Sequence, residues 1–147
     1  MKVLITSDAH GRYDLLSKIK QKHSDINEHL DAGDLVLTQK EFETLHIKAV
    51  RGNADRFLTL PLCLSLEIDN KHILVVHGHL YNVKYGMDEL IEFALDRKAD
   101  VVIYGHTHIQ KTWSHKQIVF INPGAVSNPI PEYAIYENGK VTFIKGV

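Results

Sequence analysis

The sequence predicts a single α/β domain, and three observations support this prediction. The chain has 147 residues, which is long enough for one domain with a real core and too short for two comfortable ones. Its first half alternates apolar runs with amphipathic segments, which is typical of strands alternating with helices. From residue 110 onward, short apolar runs separated by turn residues indicate a β-meander. Because no repeat, low-complexity tract or linker interrupts the pattern, we expect one domain over residues 1–147.

The first half of the chain is predicted to hold two rounds of strand and helix followed by a third strand. Leu15, Leu16 and Ile19 share one face of a helix. Thr38 and Glu41 have the spacing of a capping box, which marks the start of a second, shorter helix. The apolar runs around these helices predict strands. The expected elements are strands over residues 2–7, 26–32 and 46–50 and helices over residues 12–23 and 38–45.

The second half is predicted to hold one more helix and a larger number of strands. Residues 69–71 separate two apolar runs and have the composition of a hairpin turn. Residues 88–97 carry an apolar stripe at helical spacing. Asn138-Gly139 is a strong hairpin signal near the carboxyl end. The expected elements are a helix over residues 88–97 and strands over residues 62–68, 72–77, 101–104, 110–114, 117–121, 133–137 and 141–145.

Composition limits the partners and the location that we expect. The formal net charge is -1 with 44% hydrophobic residues, so neither sign of charge dominates, which disfavours a nucleic-acid or anionic-membrane partner. No run approaches the roughly 20 apolar residues that span a bilayer, and the N-terminal run is too short for a signal peptide. Cys63 is the only cysteine. We therefore expect a cytoplasmic protein without a membrane segment, and the oligomeric state stays open.

Seven residues of the kinds that bind divalent metals lie in five short blocks, SDAHG, AGD, RGNAD, VVHGH and IYGHTH. Each block directly follows an apolar run, so a predicted strand end presents a ligand each time. Ligands at successive strand ends converge in the crevice where open α/β sheets bind their ligands. These residues are Asp8, His10, Asp34, Asn53, His77, His106 and His108.

The ligand types favour a pair of divalent ions. Imidazole and carboxylate without thiolate suit manganese, iron or zinc, whereas structural zinc sites usually use cysteine. Seven ligands are too many for one ion but fit two ions about 3.5–4 Å apart that share a carboxylate, the arrangement of phosphatases and nucleases. Asp8 and His10 are separated by one residue, as are His106 and His108, so continued strand geometry would point both members of each pair to one face.

These blocks, followed by Asn122-Pro123-Gly124, resemble the calcineurin-like metallophosphoesterases over nearly the whole chain, and most closely the small phosphodiesterases of the YfcE type. The resemblance implies two mixed β-sheets stacked as a sandwich and flanked by helices. It also implies two metal ions, most often Mn²⁺, with Ni²⁺, Fe²⁺, Co²⁺ or Zn²⁺ as substitutes. The implied ligands are Asp8, His10 and His108 for the first ion, Asn53, His77 and His106 for the second, and Asp34 as the bridge.

The function implied by this resemblance is hydrolysis of phosphodiester bonds in a small phosphate ester, by a hydroxide held between the two ions. Many relatives carry a histidine between the asparagine and the aspartate of the third block, where this chain has Ala54. Asp55 therefore has no imidazole to orient at that position, and His79 is the candidate general acid. The alternatives are a phosphomonoesterase or nuclease of the same superfamily, or a non-catalytic interaction module like a retromer subunit that resembles this family.

Overall fold

The computed structural model describes all 147 residues and contains ten strands and three α-helices. The strands are β1 (Lys2–Thr6), β2 (Glu28–Asp31), β3 (Lys48–Ala49), β4 (Cys63–Ile68), β5 (Lys71–Val76), β6 (Val101–Ile103), β7 (Lys111–His115), β8 (Ile118–Asn122), β9 (Glu132–Glu137) and β10 (Lys140–Lys145). The helices are α1 (Tyr13–Lys22), α2 (Gln39–Leu45) and α3 (Asp88–Asp96), with a short 3₁₀ helix at His79–Tyr81.

The strands form two five-stranded mixed sheets, in the orders β10-β9-β1-β2-β3 and β4-β5-β6-β8-β7. In the first sheet β1, β2 and β3 are parallel, and in the second β5, β6 and β8 are parallel. Parallel neighbours require a crossover connection, and α1, α2 and α3 supply three of these. Three of the four outer strands, β10, β4 and β7, are antiparallel hairpin partners of their neighbours, whereas β3 is parallel to β2.

The core has three layers because successive residues of a strand point to opposite faces. Val3 and Ile5 of β1 meet Ile73 and Val75 of β5 in a cluster of 13 buried residues between the two sheets. Leu4 points the other way and packs with residues of α1 in a second cluster. The outer face of the second sheet packs on α3 in a third cluster. The predicted sandwich with helices outside is therefore confirmed.

The structure departs from the sequence prediction at two elements and one side chain. The third strand was expected over residues 46–50, but His46 has a left-handed backbone that ends α2 (φ 54°), and β3 has only two residues. The 3₁₀ helix after β5 was not expected. The side chain is that of His29, which is buried in β2 although the sequence pattern does not indicate its burial. The capping box at Thr38 and Glu41 is present as predicted. None of the helices has the length and apolar character needed to cross a bilayer.

Candidate metal centre

The predicted ligands lie in the loops that follow the carboxyl ends of parallel strands in both sheets. Loops from the two sheets meet there, and the ligand atoms from one sheet lie within a few ångströms of those from the other. Two groups of three side chains result. The ligand atoms of Asp8, His10 and His108 lie within 4.8 Å of one another, and so do those of Asp34, His77 and His106.

The first group is centred on a carboxylate oxygen that lacks a hydrogen-bond donor. Oδ1 of Asp8 is buried without a partner, yet it lies 3.2 Å from Nε2 of His108 and 3.6 Å from Nε2 of His10. Oδ2 is satisfied by the hydroxyl of Ser7 and by the backbone N–H of His106. A buried carboxylate oxygen without a donor is costly. A cation held between this oxygen and the two imidazole nitrogens would remove that cost, so the residues present fit a metal ion.

The second group presents an imidazole whose tautomer suits metal binding. Nδ1 of His77 lies 2.7 Å from the carbonyl oxygen of Ala32. Because a carbonyl only accepts, Nδ1 carries a proton, and Nε2 is the ring nitrogen that can bind an ion. That Nε2 lies 3.2 Å from Oδ2 of Asp34 and 3.2 Å from Nδ1 of His106. The three side chains therefore have the chemistry and the spacing of a second ion site.

Asp34 lies between the two groups. Its Oδ2 is 3.2 Å from Nε2 of His77 in the second group and 3.7 Å from Nε2 of His10 in the first. Its Oδ1 accepts a hydrogen bond from the backbone N–H of Ala54. This position is the one that a bridging carboxylate requires. Asn53 is exposed in the same turn as Ala54, and its role as a ligand stays a prediction.

The surrounding histidines favour the ionised form of both carboxylates. Burial opposes ionisation of Asp8, but the nearby imidazoles of His10 and His108 outweigh it and hold the pKa of Asp8 below its ordinary value. The same contact raises the pKa of His10. Burial likewise opposes ionisation of Asp34, and the bond and charge of His77 lower its pKa. Two largely buried negative charges thus need positive charge beside them.

The imidazoles of the second group respond to their neighbours in opposite directions. Burial opposes protonation of His77, but Asp34 and Asp8 outweigh it and raise the pKa of His77. Burial, the charge of His77 and the charge of Lys84 lower the pKa of His106 to about 4. His106 is therefore neutral near pH 7 and offers a lone pair. Since a metal ligand must be unprotonated, an ion at this group competes with a proton on His77.

Five of the seven candidate ligands have a left-handed backbone. The φ angles are 54° at Asp8, 45° at His10, 57° at Asp34, 70° at His106 and 62° at His108. The expectation that strand geometry continues through each pair is therefore wrong, because the strands end before the first ligand and the loops turn sharply. One consequence is that His106 and His108 join different groups. Such conformations cost on the order of 1 kcal/mol or more each and collect at functional sites.

Comparison with known proteins assigns the family. The sequence profile of the calcineurin-like phosphoesterase superfamily domain matches residues 1–139. The chain belongs to this superfamily. The chain is 33% identical over 135 residues to the probable metallophosphoesterase YsnB of Bacillus subtilis, covering 88% of this chain and 77% of that protein. It is 32% identical over 145 residues to a phosphodiesterase of Methanocaldococcus jannaschii (84% and 83%). It is 34% identical over 89 residues to the phosphodiesterase YfcE of Escherichia coli (55% and 45%).

Solved structures support the same fold for this calcineurin-like phosphoesterase domain. A predicted phosphoesterase of Streptococcus pneumoniae superposes with a TM-score of 0.83 at 23% identity, over 98% of this chain and 97% of that one. An archaeal phosphodiesterase superposes with a TM-score of 0.79 at 26% identity, over 99% of both chains. Vps29 of Entamoeba histolytica, solved with Zn²⁺, gives 0.76 at 23% identity, over 99% and 98%. The family and its phosphodiesterase relatives support a hydrolase.

Asp55 stabilises the turn that presents Asp34, the candidate bridging carboxylate of this phosphoesterase domain. It is buried (2% exposed), and its carboxylate accepts hydrogen bonds from the backbone N–H groups of Asp34 (2.9 Å), Val36 (3.0 Å) and Gly52 (2.8 Å). Asp34 and Val36 both have positive φ, and a β-branched residue rarely does. A catalytic role for Asp55 stays a prediction, and the contacts give it a positioning role.

The last residue of β8 and the segment that follows it stabilise the loop that carries His106 and His108. Asn122 is fully buried, and its Nδ2 donates to Oγ1 of Thr107 (2.9 Å) while its Oδ1 accepts from the N–H of Gly124 (3.0 Å). Nδ2 of Asn128 donates to the carbonyl of His108 (3.1 Å). The Asn-Pro-Gly motif was recognised in the sequence, but nothing there indicates which loop it contacts.

A buried polar chain beneath the centre escaped the sequence reasoning. The hydroxyl of Thr6 donates to Oδ2 of Asp31 (2.6 Å) and lies 2.7 Å from Nε2 of His29. Burial raises the pKa of Asp31 to about 8 and lowers the pKa of His29 to about 3. Oδ1 of Asp31 accepts from the N–H of Gly33, next to Asp34. No pattern in the strand separates these polar residues from surface ones, so the sequence offers no signal for them.

His79 lies beside the second group without a bonded partner. Its ring centroid is 5.4 Å from that of His77 and 6.2 Å from that of His106. Its Nδ1 is buried and has no hydrogen-bond partner. Burial, followed by the charge of His77, lowers the pKa of His79. The geometry thus places this candidate acid next to the second group, while its lowered pKa disfavours the protonated form that a general acid needs.

Proposed function

We propose that this protein is a phosphodiesterase that uses two divalent metal ions held by Asp8, His10, Asp34, Asn53, His77, His106 and His108. The position of Asp34 carries the proposal, because one carboxylate oxygen lies within 3.7 Å of an imidazole nitrogen from each group. Two relatives are named phosphodiesterases, which supports a diester rather than a monoester as the substrate. Among divalent ions Mn²⁺ is proposed first, with nickel, iron, cobalt and zinc as substitutes that also accept imidazole and carboxylate.

The residues of the candidate centre would each have a distinct role in the reaction. When bound, two such ions supply an activated water and neutralise charge on the phosphoryl oxygens. Asp8 and Asp34 provide buried negative charge that holds cations in place. The carbonyl of Ala32 fixes the ring of His77 so that its Nε2 faces the site. The left-handed loop conformations keep these donors close together before substrate arrives, and such preorganisation is a large part of catalysis.

A matrix of metals and esters tests this proposal. The protein is stripped with a chelator, dialysed, and reloaded separately with each of the five divalent ions. Hydrolysis of bis(p-nitrophenyl) phosphate and p-nitrophenyl phosphate is then measured together with bound metal per chain. We expect about two ions per chain and a higher kcat/KM for the diester. Faster monoester hydrolysis would identify a phosphomonoesterase instead.

A non-catalytic interaction module is the second candidate, because Vps29 structures share this fold. Both groups of candidate ligands are complete at their histidines and aspartates, which favours the enzyme. Failure to hydrolyse either ester with any ion would favour the module.

A nuclease is the weaker alternative, because the formal net charge of -1 provides little attraction for a polyanion. We also propose a cytoplasmic location, on the basis of the single cysteine.

The role of His79 can be separated from metal binding. His79→Ala removes an imidazole whose ring lies 5.4 Å from that of His77. If His79 is the general acid, kcat should fall about 10²–10⁴-fold with unchanged metal content. A leaving group that needs no proton, such as p-nitrophenolate, should then be affected less than an alkoxide. Loss of bound metal in the variant would instead assign His79 a supporting role at the second group.

A further inference from the structure

An open groove of about 450 Å³ lies beside the candidate metal centre, on the side of the second sheet. Two segments line it, one leading into α3 and one following β6. This volume falls in the range of small-molecule sites, roughly 300–1,000 Å³. None of the candidate ligands lines the groove itself. It is therefore a separate compartment next to the centre.

The floor of the groove is apolar. Val83 and Tyr104 are buried at its base (3% and 1% exposed), and Met87 also lines it. Ile109 lines the groove as well but is 64% exposed. A large apolar side chain left in solvent next to a concave apolar surface is typical of a contact site for a ligand. The floor thus favours a substituent with an apolar, ring-sized body.

The floor is also rigid. The hydroxyl of Tyr104 accepts a hydrogen bond from Nε1 of Trp113 (3.1 Å). Trp113 stacks on Phe120 of β8 with ring centroids 4.0 Å apart and planes 4° from parallel. Because Tyr104 is held by a strand pair of the second sheet, a ligand would meet a surface that needs little ordering, which favours affinity.

The groove is positively charged. Lys84 and Lys111 line it, and no acidic residue does. Both lysines are exposed, and neither has a carboxylate within the 4.0 Å of an ion pair, whereas Lys2, Lys48 and Lys145 do. Two unpaired ammonium groups in a chain with a formal net charge of -1 are a local excess that attracts an anion. A substituent with a cationic group would be repelled.

The groove is continuous with the candidate centre through one residue. Thr107 lines the groove and lies between His106 and His108 in the chain. Its Oγ1 is held by Nδ2 of Asn122 at 2.9 Å and by the N–H of Ile109 at 3.2 Å. A molecule bound at the centre therefore has the groove as its neighbour.

We propose that the groove binds one ester substituent of the substrate, an apolar ring-sized group that carries a second anionic group. The apolar body lies on Met87 and Ile109 above the buried Tyr104, and Lys84 and Lys111 bind the anion. This inference rests on the proposed function, because it takes the phosphoryl group to lie at the metal centre. It defines the substrate class as phosphodiesters with an anionic, apolar substituent.

Binding by calorimetry to the metal-loaded protein tests the proposal without relying on turnover. The probes are inorganic phosphate, phenyl phosphate and 4-carboxyphenyl phosphate, which add first the ring and then the second anion. We expect the Kd to fall at each step, by about 10-fold for the ring and about 10-fold for the carboxylate, as ring burial and charge-assisted bonds suggest. Quenching or a shift of Trp113 fluorescence by the two aryl probes would support contact with the Tyr104 floor.

Variants separate the two steps. Ile109→Ser should reduce the ratio of Kd values between inorganic and phenyl phosphate, because it removes apolar surface at the rim. Lys84→Ala combined with Lys111→Ala should abolish the preference for 4-carboxyphenyl over phenyl phosphate. Lys140→Ala, an exposed lysine on β10, is the matched control and should change neither ratio.

The outcomes distinguish this proposal from the proposed function. If diesters are hydrolysed but both ratios stay unchanged in the groove variants, the groove proposal is overturned and the phosphodiesterase stands. If 4-carboxyphenyl phosphate binds no better than phenyl phosphate to the wild type, the anionic part is overturned. If the metal-loaded protein neither binds phosphate nor hydrolyses any ester, the proposed function fails, and the groove proposal fails with it.

Discussion

Left-handed backbone occurs at helix ends, in the hairpin turns and at the candidate metal centre, and its cause differs between the last two regions. In the turns it falls on Asp69 and Asn70 (φ 52° and 63°) and on Asn138 (φ 50°). These residues are exposed and connect directly paired strand residues. In the centre it falls on candidate ligands and on Val36, where packing surrounds the backbone. The same conformation therefore has a local cause in one region and a distant cause in the other.

The difference shows where the stabilising bonds come from. A two-residue hairpin loop favours positive φ because the twist of its own strands demands it, and Asn, Asp and Gly tolerate that geometry. At the centre the N–H groups of Asp8 and His10 donate to the carbonyls of Gly33 and Asp34, both at 2.9 Å. The sequence separation is large, so folding of the whole domain must form these bonds. Substitutions should therefore have small, local effects in the turns and large, functional effects at the centre.

The largest effect should follow from the bridging carboxylate. Asp34→Asn removes the negative charge that lies between the two groups, so both ions should bind more weakly. We expect a fall in kcat/KM of about 10³-fold, corresponding to several kcal/mol of lost stabilisation. Asn53→Ala removes a predicted ligand of one ion only and should reduce activity less. Comparable activity of wild type and Asp34→Asn in a metal-saturated assay would refute the bridging role.

Two glycines test the comparison directly. A Cβ at Gly52 would collide with Oδ1 of Asp34 and lie 2.6 Å from its backbone nitrogen. Gly52→Ala should therefore displace the bridge and lower activity about 100-fold. Gly139 has positive φ (81°) in the last hairpin, and a Cβ there meets nothing within 4 Å. Gly139→Ala should destabilise by about 1 kcal/mol through backbone strain alone and leave activity unchanged.

Thermal unfolding and metal-saturated kinetics of the two variants, measured side by side, check this prediction. Equal losses of activity would mean that the centre is no more constrained than a hairpin turn.

Substitution of Asp55 should lower both the stability of the fold and the affinity for metal. The two carboxylate oxygens of Asp55 together accept hydrogen bonds from three backbone N–H groups, and Asp55→Asn replaces one of these oxygens with a donor NH₂ group. We expect about 2–3 kcal/mol of lost stability and about 10–100-fold weaker metal binding. Asp14→Asn, which breaks an exposed pair with Arg12, is the matched control and should change neither denaturant unfolding nor metal titration. Full metal affinity in Asp55→Asn would remove its positioning role.

The last expected effect is on stability alone and concerns the buried polar chain of Thr6, His29 and Asp31 under the centre. Because the folded-state pKa of Asp31 is raised to about 8, its contribution to stability is complete below about pH 4 and is lost as pH rises towards 8. Asp31→Asn is neutral at every pH and lacks this loss. Between pH 5 and pH 8 the variant should therefore gain about 1–3 kcal/mol relative to wild type. Denaturant unfolding of chelator-treated protein measures it, and a pH-independent difference would contradict the assignment.

Local patterns predicted most of the elements correctly because their causes are local. The capping box at Thr38, the turn at Asn138-Gly139 and the continuous apolar run of β1 depend on neighbouring residues. The candidate ligands were recognised for the same reason, since each lies in a short block after an apolar strand. The length of β3 was mispredicted because His46 adopts a left-handed helix cap, which competes with the strand propensity that follows it.

What the sequence determined by itself is the set of elements and the ligand types, because both follow from spacing along the chain. Spacing along the chain does not show how the ligands are grouped, which only the family resemblance implied, since His106 and His108 lie two positions apart and yet join different groups. Only the tertiary structure decided that His29 and Asp31 are buried and that the lysine-lined groove adjoins the centre. These features depend on which distant segments of backbone contact each loop, and no local sequence pattern predicts those contacts.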